Sequence, residues 1–428
     1  MLRTNGSSPT KRIRRSQAAR RQPHPMNLEN PKFCRDLRRA FISRLGGPGT
    51  GLRCALAPGR VNLIGEHTDY NGGLVLPMAI DRHTAVLFRP HPGRRIRVWS
   101  ETAANSDWHP EDEFGISRGG IAQVREERLH WANYVRGVAA ALQRRGIRLK
   151  GGDLYIGGDL PQGAGLSSSA SLEVSVALAL LALAGGRGMA PQDLAFAAQE
   201  AEHRYAGVRC GIMDQTVVVR ARAGHALLLD CNSLAVRHVP IRLGAWTFAL
   251  FDTGVRHKLA SSEYNKRRSE CEHAARLLGV ETIRDAALEH LLQYGSRLTP
   301  GEQRRVRHVS SENLRTAQFA AGLARGDVAA LGRLLELSHQ SLACDYEVSC
   351  AELDLLVGEL RGEGWGSRCA GARMTGGGFG GAVVALIRAR AFDSLRKRLS
   401  TGMRKRFGRG LGGALTVSPS AGARVVNL

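Results

Sequence analysis

The sequence contains no long hydrophobic run. Its longest predominantly apolar stretch, Val174 to Ala184, is about half as long as a bilayer-crossing helix, so no membrane-spanning helix is predicted. The first residues lack the apolar core of a secretory signal. The eight cysteines include no C-x-x-C pair and show no zinc-site spacing. We therefore expect reduced thiols and a cytoplasmic protein without a membrane partner.

Lysine is also scarce, although the chain is strongly basic. Only seven of the 61 basic residues are lysine, and 38 acidic residues leave a net charge of +23. Such a charge attracts nucleic acids, acidic surfaces and anionic substrates without choosing among them, and a biased genome composition explains the arginine excess equally well. The 428 residues are 43% hydrophobic and 23% charged, which excludes a fibrous or wholly disordered chain.

The basic residues are concentrated at the two ends of the chain. Residues 1–25 hold seven basic residues and no acidic one, and this composition predicts a disordered tail. Alternatively, Met26 is the natural start and the tail is spurious. A second basic zone runs from Arg388 to the C-terminus, with ten basic residues against one acidic residue. We interpret it as a solvated face, with nucleic-acid binding by the basic ends as a rival reading.

Predicted strands and helices are mixed along the whole chain. Strands are expected at 53–57, 74–80, 84–88, 96–99, 153–156, 226–229 and 247–252, and on either side of residues 376–381. Helices are expected at 131–145, 168–184, 191–206, 261–278, 310–324, 327–343 and 351–361. The pattern restarts after Gly224, which predicts an N-terminal domain of residues 26–224 and a C-terminal domain of residues 225–428. The mixture indicates an α+β or α/β class.

The segment Pro161–Ala170 (P-Q-G-A-G-L-S-S-S-A) lies between a predicted strand and a long apolar helix. Glycines let backbone N–H groups approach a ligand, and a helix N-terminus favours an anion such as phosphate. Three serines add hydroxyl groups, one of which could reach a phosphate-bound Mg²⁺. A glycine turn with serine caps is the plainer interpretation. Three serines beside two glycines exceed what a cap needs, so we favour phosphate binding. No Gly-Lys-[Ser/Thr] follows, so this is not a Walker loop.

The segment Pro58–Gly73 is dense in polar side chains, namely Arg60, Asn62, Glu66, His67, Asp69 and Asn71. Sugars need many hydrogen-bond partners, because every hydroxyl both donates and accepts. An arginine there can also face phosphate charge. The alternative is a polar surface loop, and the composition favours a binding site over it.

Two further segments carry candidate residues. Asp214 lies among apolar neighbours in C-G-I-M-D-Q at 210–215, where partial burial tunes its proton affinity. Glu202 on the preceding helix could bind Mg²⁺, although an exposed helix carboxylate is the simpler reading for it alone.

The glycines of M-T-G-G-G-F-G-G at 374–381 precede a predicted strand, whereas a dinucleotide site needs a helix there. A loop closing over a ligand fits that segment better.

Taken together, these segments resemble the GHMP small-molecule kinases, and within them the galactokinase family. The resemblance rests on G-R-V-N-L-I-G-E-H-T-D-Y at 59–70, G-L-S-S-S-A at 165–170 and M-T-G-G-G-F-G-G at 374–381, supported by C-G-I-M-D-Q and by S-S-E-Y at 261–264. It covers the chain from about Asn27 to the C-terminus. It implies an N-terminal α/β domain with a GHMP-type phosphate loop, a C-terminal ferredoxin-like domain, and a site between them.

The resemblance also implies a reaction, ATP-dependent phosphorylation of D-galactose at its anomeric hydroxyl, and a role for each matching residue. Catalysis is expected from Asp214, which would take or hold the proton of that hydroxyl, and from Arg60 beside it. The sugar is expected to contact Arg60, Glu66, His67, Asp69, Gly211, Asp214 and Tyr264. ATP is expected to contact Gly163, Ala164, Gly165, Leu166, Ser167, Ser168, Ser169 and Ser261, with Mg²⁺ held by Ser169 and Glu202.

Two alternatives to this reaction stay open at the level of sequence. Some relatives bind galactose and ATP as sensors without catalysis, but the inactive kind lacks a Ser-Ala pair that is present here as Ser169-Ala170. A related sugar kinase, for N-acetylgalactosamine or arabinose, is the second alternative. The chain departs from the family pattern in its basic tail and at Cys344, where relatives tend to carry a second acidic residue. Neither departure falls on an expected catalytic residue. The expected partner is a small sugar, with no nucleic acid and a monomeric chain.

Overall fold

The computed structural model describes residues 31–117, 119–161, 165–185, 188–255, 260–286, 288–362 and 367–428. The basic tail and Met26 lie outside these residues. Across the described ranges, no helix is both long enough and apolar enough to cross a bilayer.

The described strands form three sheets. In chain order they are β1 (Arg53–Asn62), β2 (Leu74–Val75), β3 (Pro77–Pro90), β4 (Arg95–Ser100), β5 (Glu111–Gly115), β6 (Gly152–Gly158), β7 (His225–Asp230), β8 (Val236–Pro240), β9 (Trp246–Asp252), β10 (Cys369–Thr375), β11 (Ala382–Arg388), β12 (Gly413–Val417) and β13 (Arg424–Asn427). The first sheet has the order β13-β1-β3-β6-β4-β5, the second β10-β11-β9-β12 and the third β2-β7-β8. Among these described strands, only β4 and β6 pair in parallel.

Helices cover the first two sheets and carry most of the connections. They are α1 (Pro31–Leu45), α2 (Glu101–Ala104), α3 (Ala132–Arg144), α4 (Ser168–Ala184), α5 (Pro191–Ala201), α6 (Met213–Arg220), α7 (Ala260–Leu278), α8 (Leu288–Tyr294), α9 (Pro300–Arg325), α10 (Val328–Cys344), α11 (Ala351–Arg361) and α12 (Phe392–Phe407). Helix α4 is apolar on nearly all sides and is buried against the first sheet, as expected for a central helix.

The second sheet has the topology of a ferredoxin-like fold. Its strands occur in the chain order β9, β10, β11, β12, and helices separate β9 from β10 and β11 from β12. Every neighbouring pair is antiparallel, and β9 lies between β11 and β12. The predicted ferredoxin-like arrangement in the C-terminal half is therefore confirmed.

The two ends of the described chain meet in the first sheet. Strand β13 pairs with β1, and Arg53 lies opposite Asn427. In addition, β2 of the N-terminal half pairs with β7, which follows residue 224. The domain boundary near 224 stays a prediction, and these pairings mean that each half completes a sheet of the other.

A hydrophobic cluster joins the halves beside the polar loop of residues 58–73. Val61, Leu63 and Leu166 pack there with Phe319 and Leu250 from the second half. Such a cluster removes apolar area from water at a free-energy gain of about 25 cal/mol per Å². The polar loop is therefore fixed against both halves before any ligand binds.

Several predicted elements differ in extent from the observed ones. The predicted strands 74–80 and 84–88 are the short β2 followed by a single long β3. Helix α9 begins at Pro300, ten residues before the predicted start, because Thr299 and Glu302 form a reciprocal cap. The predicted helix 191–206 is α-helical to Ala201 and then widens into a π-helical turn, Glu202–Ala206.

Candidate active site

Arg60 and Asp214 form the central ion pair of the site. Arg60 lies near the end of β1, and Asp214 lies in the first turn of α6. The guanidinium group donates from Nε to Oδ1 at 2.7 Å and from a terminal nitrogen to Oδ2 at 2.8 Å. Burial would lower the pKa of Arg60, but the charge and hydrogen bonds of Asp214 raise it. Two predicted catalytic residues, 154 positions apart, are therefore in direct contact.

A β-bulge brings Arg60 against the phosphate loop. The pairing of β1 with β3 shifts register between Pro58 and Arg60, at Gly59. A Cβ atom at Gly59 would lie 2.4 Å from a methyl carbon of Leu160 and 3.0 Å from the Leu166 carbonyl oxygen, so a larger residue would push these neighbours away. The Arg60 amide donates to the Leu166 carbonyl at 3.1 Å, and its side chain donates to the Gly165 carbonyl at 2.6 Å.

The predicted phosphate loop reaches the ion pair through Ser167. This residue has left-handed backbone angles (φ 55°), and its hydroxyl donates to Asp214 Oδ2. Helix α4 begins at the next residue, so its N-terminal N–H groups point to the same region. The Leu166 side chain is buried in the inter-half cluster, which leaves only its backbone for a ligand. The predicted contacts Gly163 and Ala164 lie outside the described residues.

Glu66 is held by residues from both halves of the chain. Its Oε2 accepts from Asn62 at 3.0 Å, while its Oε1 accepts from the Thr375 hydroxyl at 3.0 Å and from the Gly376 amide at 2.6 Å. Burial would raise the pKa of Glu66, but the Arg373 and Arg60 charges lower it below its usual value. The Gly-rich segment after β10 therefore contacts the polar loop of residues 58–73 directly. That this segment closes over a ligand stays a prediction.

Asp69 lies against the backbone of Gly211. A Cβ atom at Gly211 would be 1.9 Å from Asp69 Oδ2, so this contact requires glycine. Burial, and then the Asp214 charge, raise the pKa of Asp69 to about 7. Asp69 is therefore poised to exchange hydrogen bonds with ligand hydroxyls as donor or acceptor.

His67 and Tyr264 belong to an aromatic group on the other side of the site. Their ring centroids are 5.5 Å apart, and His67 Nδ1 lies 2.8 Å from the hydroxyl oxygen of Tyr70. Burial lowers the pKa of His67 to about 3, which keeps the ring neutral. A neutral imidazole and a phenol both suit recognition of uncharged hydroxyl groups.

One cavity, of about 190 Å³, collects the residues that the sequence assigned to a sugar site. Its walls include Arg60, Glu66, His67, Asp69, Gly211, Asp214 and Tyr264, together with Glu202. All seven predicted sugar residues thus meet around one space.

A second cavity, of about 240 Å³, opens on the far side of the α4 N-terminus. Its walls include Ser168 and Ser169, together with Ser100, Thr102, Trp131 and Tyr134. The lining mixes apolar and aromatic side chains with several hydroxyl groups and two histidines, His83 and His130. Such a mixture of apolar surface and placed polar groups suits a small-molecule site. No sequence motif pointed to Trp131 or Tyr134, which the sequence analysis placed only within the predicted helix 131–145.

Glu202 and Ser169 connect the two cavities. Glu202 lines the first cavity and Ser169 lines the second, and a hydrogen bond joins their side chains. Burial, and then the Asp214 charge, raise the pKa of Glu202 to about 7. Carboxylate and hydroxyl oxygens are ligands of Mg²⁺, and a buried carboxylate among other carboxylates gains from a cation. These residues therefore fit a Mg²⁺ ion next to a phosphate chain.

Sequence reasoning missed a layer of buried polar residues behind the polar loop. The Gly65 amide donates to Glu312 at 3.0 Å, and a ring nitrogen of His308 lies 3.0 Å from the Glu66 carbonyl oxygen. Arg373 donates to the Leu63 carbonyl at 2.8 Å. Glu312 and His308 lie on α9 and are fully buried next to polar partners, which no sequence pattern indicated. The predicted ATP contact Ser261 lies in α7, but its side chain is outside the described part of the structure.

Comparison with known proteins agrees with this geometry. Residues 39–90 match the galactokinase galactose-binding signature, residues 133–222 the GHMP kinase N-terminal domain and residues 319–405 the GHMP kinase C-terminal domain. The chain is 47% identical to the galactokinase of Chloroflexus aggregans over 378 residues, which cover 87% of this chain and 93% of that protein. It is 46% identical to the Chloroflexus aurantiacus galactokinase with the same coverage.

A solved structure gives the same result. The galactokinase of Lactococcus lactis, solved in complex with galactose, superposes with a TM-score of 0.84 at 30% identity, covering 91% of this chain and 99% of that one. The resemblance inferred from the three motifs is confirmed by these matches. The chain therefore belongs to the galactokinase family of the GHMP kinases.

Proposed function

We propose that this chain transfers the γ-phosphoryl group of ATP to the anomeric hydroxyl of D-galactose, giving ADP and galactose 1-phosphate. The observation that carries the proposal is the Arg60–Asp214 pair on the wall of the first cavity, next to the α4 N-terminus. Phosphoryl transfer depends mainly on positioning and charge neutralisation. An anchored carboxylate and a buried guanidinium beside a helix N-terminus supply both.

Galactose occupies the first cavity in this proposal. Glu66 has three hydrogen-bond donors on one oxygen, so it is fixed before the sugar arrives. Asp69, His67 and Tyr264 then contact the ring hydroxyls, and the Gly211 backbone closes the wall beside them. The anomeric hydroxyl donates its hydrogen bond to Asp214. Arg60 and Ser167 donate hydrogen bonds to Asp214 and hold its carboxylate in one orientation. The carboxylate therefore orients the anomeric hydroxyl oxygen toward the phosphoryl group.

ATP occupies the second cavity with its phosphates at the α4 N-terminus. The base lies between the aromatic side chains Trp131 and Tyr134, and Ser168 and Ser169 mark the passage toward the sugar. The helix N-terminus and the glycine-rich backbone neutralise phosphate charge. Arg60, on the sugar side of the same loop, faces the charge that develops on the moving phosphoryl group.

Mg²⁺ is the cofactor that these residues suit, with Ser169 and Glu202 as its protein ligands. When bound with ATP, it neutralises charge on the phosphate oxygens. Glu202 has no cationic partner in its described contacts, which are with Ser169, Gln215 and Cys210. The chain itself holds the nucleotide and the sugar on either side of this carboxylate.

The whole reaction requires residues of one chain only, so we propose a monomeric enzyme. Its eight cysteines, all within the described residues, form no disulfide there, which is typical of a reducing compartment, and we propose the cytoplasm. The N-terminal half supplies Arg60, Asp214 and the phosphate loop, and the C-terminal half supplies Tyr264 and the Gly376 segment.

An ADP-release assay with Mg·ATP and a sugar panel tests the reaction and its substrate together. The panel comprises galactose, N-acetylgalactosamine, arabinose, glucose and a blank without sugar. We expect turnover on galactose well above the other sugars. No turnover on any sugar, with galactose and ATP still binding, would instead identify a sensor. Faster turnover on N-acetylgalactosamine or arabinose would reassign the substrate.

Asp214→Asn tests the role of the central carboxylate. We expect kcat to fall by about 10²- to 10⁴-fold, because the amide cannot accept the hydroxyl proton, while ADP binding is retained. Asp193→Asn, an exposed acid in the first turn of α5, is the matched control and should keep its activity. Substantial residual kcat in Asp214→Asn would reject this assignment.

A further inference from the structure

Gln215 lies between two buried carboxylates. Its side-chain nitrogen donates to Glu202 Oε2 at 2.8 Å and to Glu173 Oε2 at 3.2 Å. Gln215 and Glu173 are fully buried, and Glu202 is 6% exposed. An amide nitrogen carries two hydrogens, so a single group can satisfy both carboxylates. The same nitrogen also lies 3.8 Å from Cys210 Sγ, and Cys210 Sγ lies 3.4 Å from Glu202 Oε2.

The three residues come from three helices that converge on the junction of the cavities. Glu173 lies four residues after Ser169 on α4, hence on the same face of that helix. Gln215 directly follows Asp214 on α6. Glu202 begins the π-helical turn that ends α5, a widening that is frequent at functional sites.

Glu173 has no cationic partner among its described contacts. Its Oε1 atom and the Oε1 atom of Gln215 are both buried without a hydrogen-bond partner. Burial, and then the Glu202 charge, raise the pKa of Glu173 well above its usual value, which agrees with a neutral acid. Glu173 is the only charged residue of the apolar helix α4.

We propose that Gln215 is a positioning residue that fixes one oxygen of Glu202, and thereby turns the carboxylate toward Mg²⁺ and Ser169, while Glu173 holds the Gln215 amide in place. The inference rests on the proposed role of Glu202 as a Mg²⁺ ligand. Residues that orient metal ligands in this way typically contribute a factor of 10 to 100 to metal affinity.

Metal binding without turnover tests the proposal. The probe is Mn²⁺ added to the full chain with ADP and no sugar, with free Mn²⁺ followed by electron paramagnetic resonance. We expect Gln215→Met, which keeps the side-chain size but removes both donors, to weaken Mn²⁺ binding about 10- to 100-fold. Galactose binding without nucleotide, measured by calorimetry, should stay unchanged, because Asp214 keeps its two Arg60 bonds.

Substitutions at Glu173 separate a positioning role from a merely structural one. Glu173→Gln keeps an acceptor oxygen on a neutral side chain of the same size, so it should retain Mn²⁺ affinity. Glu173→Leu removes the acceptor and should weaken Mn²⁺ binding in the same direction as Gln215→Met. Ser175→Ala is the matched control, because Ser175 is buried on the same helix and, among the described residues, its hydroxyl bonds only the Leu172 carbonyl.

Glu202→Gln distinguishes failure of this inference from failure of the proposed metal site. If Glu202→Gln weakens Mn²⁺ binding and Gln215→Met does not, the positioning role is rejected and the metal site stands. If Glu202→Gln leaves binding unchanged, both are rejected. Loss of galactose binding in Gln215→Met would also reject the proposal, since α6 itself would have moved. Should Gln215→Met fail to fold, Gln215→Asn, which is too short to reach both carboxylates, gives the same decision.

Discussion

Replacing Gly211 with alanine should remove galactose recognition while leaving the nucleotide site intact. The new Cβ atom would lie 1.9 Å from Asp69 Oδ2, 2.4 Å from its Cγ and 2.9 Å from its Cβ. All three contacts are shorter than any that real Cβ atoms adopt, so one of the two residues must move. Gly211 precedes α6, which carries Asp214, so the Asp69 side chain is the part that yields.

The size of the effect follows from the bonds that Asp69 loses. A hydrogen bond from a charged group to a ligand contributes about 1.5–3 kcal/mol, so displacing Asp69 should lower kcat/KM for galactose about 10- to 100-fold. The loss should appear mainly as a higher KM for galactose. The KM for ATP should stay unchanged, because the second cavity shares no wall with Gly211 or Asp69.

The assay is steady-state ADP release with galactose and ATP varied in turn, combined with calorimetric galactose binding. Gly358→Ala is the matched control, since a Cβ atom there meets nothing within 4 Å and the residue lies within α11. It should keep full activity and gain stability of about 0.5–1 kcal/mol. An unchanged galactose KM in Gly211→Ala would refute the close approach of Asp69 or its contact with the sugar.

Three further predictions concern other parts of the site. Arg60→Ala should lower kcat more than it weakens galactose binding, whereas a pure KM change in steady-state kinetics would mean that Arg60 binds only the ground state. Thr102→Trp should fill the second cavity and raise the KM for ATP without changing galactose binding, and an unchanged ATP KM would place the nucleotide elsewhere. Folding raises the pKa of Glu202 from 4.5 to about 7, so its contribution to stability is present at low pH and is lost as pH rises through about 7. Between pH 4.5 and about 7, the melting temperature of ligand-free Glu202→Gln minus that of the native chain should therefore increase. A difference that stays constant with pH would contradict the raised pKa.

Sequence reasoning predicted best the residues and elements that their immediate neighbours in the sequence already mark. Arg60, Asp69 and Asp214 were selected because polar residues stood among glycines and apolar neighbours, and the structure brings them to one cavity. Helix α4 was predicted over its observed range, Ser168–Ala184, because an apolar run begins after serines and ends at glycine. Contacts of individual residues with sugar, ATP or metal stay predictions.

Other features had weaker or no local signals. Strand β13 is four residues long and exists through its pairing with β1, which is remote in sequence. Helix α12 was obscured by its basic residues, although Leu395, Leu399 and Met403 recur every four positions and form its buried side. Its exposed Arg404–Arg406 cluster agrees with the predicted solvated face. The capping pair that begins α9 was readable and was overlooked.

The charge of the site is opposite to the charge of the chain. The net charge is +23, yet three carboxylates, Asp69, Glu202 and Asp214, line the first cavity with Arg60 as the cation bonded to Asp214. Composition therefore could not have indicated the local field, which depends on burial and pairing. Burial, and then repulsion by the Asp214 charge, raise the pKa of Glu202 and of Asp69 in the ligand-free protein. A bound cation would relieve this repulsion, so the same carboxylates that destabilise the empty site should strengthen binding of a metal–nucleotide complex. On this argument the metal, the nucleotide and the sugar complete a site that the chain alone leaves electrostatically unbalanced.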